Sequence, residues 1–210
     1  MYYNTYKDSL ANHRLLELGL SPEILVRAVT EGQLAHSNCT ENDPRIFSGL
    51  AVWARMNRSL REQLIPLGWT KGEKRGQPIT LSPEKDVAIV VFSGDDATGC
   101  PDRIPQPRNP KGTATLAAVE MNKQQLILFP EYRHEGKATP DRLTWVLLFA
   151  RDKDFVRCEL SLPSAVEKDG TVMTWAERII LPAITLGDEL VVSETSDEPP
   201  VDVEVIRKSS

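Results

Sequence analysis

Two adjacent carboxylates pose the first chemical question. Asp95 and Asp96 follow an apolar run at residues 87–92 and sit inside Ser93-Gly94-Asp95-Asp96-Ala97-Thr98-Gly99. A buried strand that ends in glycines and acids is where α/β and α+β folds often place ligand chemistry. Such oxygen ligands suit Mg²⁺, which takes one or two carboxylates and keeps several waters. Neighbours in an extended segment point to opposite sides, so only one of the pair faces a given ion. Further ligands must then come from Asp102, Glu120, Glu131 or Glu159, with His134 as a candidate base. The simpler alternative, which the sequence favours, is a solvated turn closed by an Asx hydrogen bond.

A second constellation follows at once. Residues 103–112 combine Arg103, Arg108 and Lys111 with prolines and Gly112, side chains and backbone able to hold a phosphate or carboxylate. The Gly-x-x-x-x-Gly-Lys-Ser/Thr spacing is absent, since Lys111 precedes its glycine, so this is not a P-loop. The alternatives are a protein-docking arm or a plain crossover. Third, Arg55, Arg58 and Arg61 recur every three residues beside an apolar helical stripe, with Lys71, Lys74 and Arg75 beyond. That cluster suits a nucleic-acid backbone or an acidic partner, and the ordinary alternative is a solvated helix flank.

Other reaction classes find little support. No Gly-x-Ser-x-Gly elbow occurs, and His13, His36 and His134 lie in no recognisable base–nucleophile spacing. Glu120-Met121-Asn122-Lys123 has the wrong spacing for an acidic-x-Lys nuclease strand. A zinc set drawn from His36, Cys39, Cys100, His134 and Cys158 lacks the usual close second pair. Three scattered cysteines read as free thiols in a reducing compartment.

The elements that must position these groups fall into two regions. Leu10, Leu15, Leu16 and Leu18 mark a first helix ended by Gly19, and Ser21-Pro22 opens a second that runs to about Leu34. Asp43-Pro44 opens the longest, with Ile46, Leu50, Trp53, Leu60 and Leu64 as its apolar stripe and Asn57 amid them. Ile65-Pro66-Leu67-Gly68 ends it. From there the pattern turns extended: strands at residues 79–81 and 87–92 form one hairpin, and those at 143–150 and 155–162 a second. In the last strand Phe155, Arg157, Glu159 and Ser161 alternate with apolar residues, which predicts one wet face. Short strands at 113–119 and 125–129, the first with alanines that also suit a helix, and a strand at 172–181 complete the set. The proline-dense stretch 95–112 reads as a long irregular loop. Beyond residue 193 acids and prolines predict a flexible tail, although the alternation over 201–206 would also suit docking on a sheet edge.

Composition sets the outer limits. Forty per cent hydrophobic and 26 per cent charged residues over 210 positions are ordinary globular values. No apolar run approaches the roughly 20 residues that span a bilayer, and residues 1–6 lack a secretory pattern, so a soluble cytoplasmic protein is expected. Net charge runs +2 over residues 1–75, −4 over 76–190 and −3 over 191–210, unlike a broad nucleic-acid footprint.

The expected fold is α+β: a helical part at residues 1–70, a mainly antiparallel sheet at 71–192 sharing its core, and a flexible acidic tail at 193–210. The leading functional expectation is a non-catalytic protein-interaction factor of accessory, inhibitor or immunity type, with another protein as partner and no cofactor. The alternative is a metal-dependent hydrolase or phosphate-ligand enzyme centred on Asp95 and Asp96, using Mg²⁺ and gripping ligand through Arg103, Arg108 and Lys111. A weaker one is a DNA-binding regulator acting through Arg55, Arg58 and Arg61.

Overall fold

A computed structural model describes residues 4–74, 76–108, 119–120, 122–123, 142–166 and 173–186. The expectations placed on Arg75, Lys111, His134 and Glu131, on the segment 125–129, on nearly all of 113–119 and on the tail lie outside them.

Strand β4 (Val87–Ser93) is buried along its apolar length on both faces, the condition of a central strand. Each such side chain contributes about 1.5–3 kcal/mol, so this element anchors the rest. Around it lie β1 (Asn4–Tyr6), α1 (Asp8–Glu17), α2 (Pro22–Ser37), α3 (Phe47–Leu64), a 3₁₀ turn (Ile65–Leu67), β2 (Thr70–Lys74) and β3 (Gln77–Leu81). β5 (Leu143–Arg151), β6 (Phe155–Val166), β7 (Met173–Ile180) and β8 (Ile184–Thr185) follow in the chain. The protein is thus α+β.

One sheet takes the order β1-β7-β6-β5-β4-β3-β2, with β8 on β6. Both hairpins expected from the sequence are present, as β3–β4 and β5–β6. The sheet is nevertheless mixed, because β4 pairs β5 in parallel and β1 pairs β7 in parallel. A parallel neighbour needs a crossover of a dozen or more residues, and the chain between β4 and β5 supplies it. Hairpin turns reveal only sequential pairings, so this one left no local trace. Two further strands escape the sequence pattern, and β1 also breaks the expected boundary at residue 70 by lying within the helical part. β1 is a three-residue strand fixed by its neighbour β7, and β2 is polar and edge-placed, with exposed Lys71 and Lys74.

Strand alternation separates two apolar clusters. Val87, Ile89, Val91, Trp145, Leu147, Val156, Cys158 and Leu160 join Leu15, Leu25, Val29, Met56 and Leu60 of the helices in one. Val90, Phe92, Val146, Leu148, Met173 and Trp175 form the other with Val119. Within the helical layer α2 and α3 touch closely at Gly32, where an added Cβ would stand 2.5 Å from Met56 Cγ. Arg61 fastens α3 to the sheet by donating to the carbonyls of Gly72 (2.9 Å) and Ile79 (3.3 Å).

The long helix starts later than Pro44, and its buried stripe is Val52, Met56, Asn57, Ser59, Leu60 and Leu64. Ile46 and Leu50 are exposed instead. Apolar spacing gives the helix but not which flank a neighbour covers. Buried Asn57 donates through Nδ2 to the Trp53 carbonyl at 2.8 Å, which meets the need its burial creates.

Candidate functional site

The proline-dense stretch folds back on itself. Gly94 and Pro107 form an antiparallel bridge, Asp95 N–H donates to Gln106 O (2.9 Å), and Arg108 N–H donates to Ser93 O (2.9 Å). The two ends of the loop therefore lie side by side at the end of β4, the geometry of a closed Ω-type loop. Gly94 N–H also donates to Phe149 O, joining the loop base to the end of β5.

The strand face expected to be wet is what holds this loop. Glu159 and Arg178 are both fully buried and paired at 2.6 Å, with Ser161 Oγ donating to Glu159 Oε1. Arg178 donates to the carbonyls of Arg103 (2.7 Å) and Cys100 (3.0 Å), and Glu159 Oε2 accepts Gly99 N–H at 2.8 Å. A buried charge pair stands only when its remaining donors and acceptors are satisfied, and the loop backbone satisfies them here. Gly99 has φ +72°, and a side chain there would stand 2.8 Å from Arg157 Cβ. Further along, the Gln106 amide accepts from Met173 N–H and donates to its carbonyl, while Trp175 Nε1 donates to Pro105 O. Ala176 is an extra residue in β7 between the pairs Leu162–Glu177 and Pro163–Trp175. That bulge turns Trp175 and Met173 to the loop side, although Glu177 faces Arg14 of α1.

The acidic pair is engaged locally. Asp95 Oδ1 accepts from Ala97 N–H, the Asx turn weighed from sequence. Asp96 lies outward, its side chain 76% exposed, and pairs with Arg103 at 2.7 Å, whose hydrogen bond holds that carboxyl below its ordinary range. Asp102 is exposed, Glu120 lies 3.9 Å from Lys123, and Glu159 serves Arg178. Among the described residues no three His, Cys, Asp or Glu side chains gather as a metal set. Burial pushes the Cys158 thiol up to about 12, so it stays protonated.

The arginine stripe is also engaged: Arg55 pairs with Glu31 and Arg58 with Glu62, each at 2.7 Å, and Arg61 serves the sheet.

A cleft forms beside the loop base, where Ser93, Gly94 and Arg108 line it. About 730 Å³ opens at the C-terminal ends of β4 and β5, between the end of α2 and the start of α3. Its floor includes Val91, Phe92 and Ala150, and Ile46, Leu50, Trp53 and Phe149 give it apolar walls. Arg108, Arg151 and His36 are its ionisable members, and none of the described residues lining it is acidic. Arg151 donates to Oε1 of buried Gln33 at 2.9 Å, and no described residue bonds the exposed Arg108 guanidinium. Burial, then the Arg151 charge, lowers the His36 pKa, so its imidazole is neutral at pH 7. Ser48 and Gly49, in the first turn of α3, complete the rim; that turn holds no acid, and Ile46 offers no side-chain cap. The helix end therefore adds positive potential to a cationic cleft.

Of the described residues singled out from sequence as ligand-binding cations, Arg108 lines this cleft and Arg103 does not. Arg151 is the last residue of β5, and His36 stands in the sequence as a zinc candidate and as a histidine without base–nucleophile spacing. Both escape local reading because the end of α2 lies against the end of β5, a contact between distant parts of the chain. Comparison of the chain with protein-family models, curated proteins and solved structures found no match. Among the described residues no helix is long and apolar enough to cross a membrane.

Proposed function

We propose that the protein binds an anionic ligand in the cleft at the C-terminal ends of β4 and β5, as a binding module rather than a catalyst. The carrying observation is the lining itself: Arg108 and Arg151 face a concave, partly apolar space with no acid among its described residues. A site of this volume falls within the range that takes small molecules. Arginine forks match phosphate or carboxylate oxygens, and the apolar walls add affinity by desolvation. A calorimetric titration with inorganic pyrophosphate tests this. Binding that weakens with added salt, and at least tenfold in Arg108→Gln, is the expected outcome; heats indistinguishable from dilution overturn the proposal.

The interaction-factor reading draws support from one observation. Ile46, Phe47 and Leu50 are 75%, 44% and 50% exposed at the start of α3, a short apolar run beside the cleft. Monomers seldom leave such residues grouped without a use. Partner capture in a pull-down from the native cell, lost in the double change Ile46→Ser and Leu50→Ser, is its expected outcome; capture unchanged by those substitutions counts against it.

A further inference from the structure

We infer that the cleft takes a ring-bearing phosphate monoester, the chemistry of a nucleoside monophosphate; this rests on the anion-binding reading above and names the ligand class. Size is the first reason. A free phosphate fills a small part of about 730 Å³, so most of the cleft must receive something other than the anion.

Shape and charge narrow that remainder. Trp53 and Phe149 are half-buried aromatic walls, and Ile46 and Leu50 widen the apolar side. A flat ring recovers more from aromatic faces than a flexible chain does, because stacking adds to the area removed from water. Gln77 and Ser48 on the lining offer polar atoms to a heterocycle's edge or a sugar hydroxyl. On the ionic side, two guanidiniums and a neutral imidazole match one dianion better than a single carboxylate. The first turn of α3 suits the same group, since backbone N–H groups at a helix start donate to phosphate oxygens. A polymer fits less well. A nucleic-acid strand needs a track of cations, and Arg55, Arg58 and Arg61 are already engaged within the protein.

The test compares two ligands that share one phosphate with a ring-bearing carboxylate and a ringless anion. Full-length protein is titrated with 5′-AMP, ribose 5-phosphate, benzoate and inorganic pyrophosphate, following heat and tryptophan fluorescence. The expected result is at least tenfold tighter binding of 5′-AMP than of ribose 5-phosphate, with benzoate weaker than both. In Trp53→Leu the preference for 5′-AMP falls to under threefold while ribose 5-phosphate still binds, which also reports that the variant is folded. Ile46→Ser, at an exposed position, is a second variant with little risk to the fold, and it lowers the same preference. Equal affinity for 5′-AMP and ribose 5-phosphate overturns the ring assignment and leaves the anion reading standing, as does benzoate binding as tightly as 5′-AMP. No binding of any of the four, pyrophosphate included, overturns both.

Discussion

Single side chains decide how the loop and the cleft are held. The Arg178–Glu159 pair is fully buried, whereas Asp96–Arg103 lies in water, where solvent screens it. The buried pair therefore carries the loop. Removing one partner leaves an uncompensated charge in the interior, so Glu159→Gln is expected to destabilise the protein by about 3–5 kcal/mol in urea unfolding. Asp96→Ala should barely move the same midpoint. His36 gives a pH signature. Its folded pKa lies below the ordinary 6.5, so the unfolded chain binds the proton more readily. Its contribution to stability is complete above pH 6.5 and is lost as pH falls toward the folded value, the sign required when the unfolded state holds more protons. A His36→Gln variant is expected to lose that part of the acid sensitivity in melting curves between pH 7 and 5; an unchanged pH profile contradicts it.

At the scale of elements, the closed loop 94–108 follows from its anchors rather than from its prolines. Gly99 both occupies a left-handed conformation and brings its N–H to Glu159, with Arg157 Cβ in the way of any side chain. Gly99→Ala is thus expected to expose the loop to limited proteolysis several-fold faster than wild type; equal cleavage rates would show the loop is held otherwise. Legibility differed between elements for physical reasons. Gly19, Ser21-Pro22 and the β5–β6 turn carry their instructions within a few residues, and the chain obeys them. Glu159 and Ser161 read as solvent-facing because strand alternation says where a side chain points but not what distant segment will cover it. Ile46 and Leu50 failed in the opposite sense, apolar at helical spacing yet left at the rim of the cleft.

Across the whole molecule, helices and strands share one apolar cluster, in which Leu25, Met56 and Leu60 sit with Ile89, Leu147 and Leu160. Neither part keeps a complete core without the other. A single calorimetric unfolding transition is therefore expected, and two separable transitions would contradict it. The candidate cleft belongs to this same scale. It exists because β4 and β5 run parallel and end together, bringing Arg108 and Arg151 beside the start of α3. No window of sequence holds those groups together, and Arg108 alone was legible as a ligand-binding cation. The most direct measurement is an amide NMR titration of the full chain with inorganic pyrophosphate. Saturable shifts at Ser48, Gly49, Gly94 and Arg151 are the expected result. Shifts confined to Lys71 and Lys74 on β2, or spread evenly over surface lysines, would place the anion elsewhere and contradict the cleft as its site.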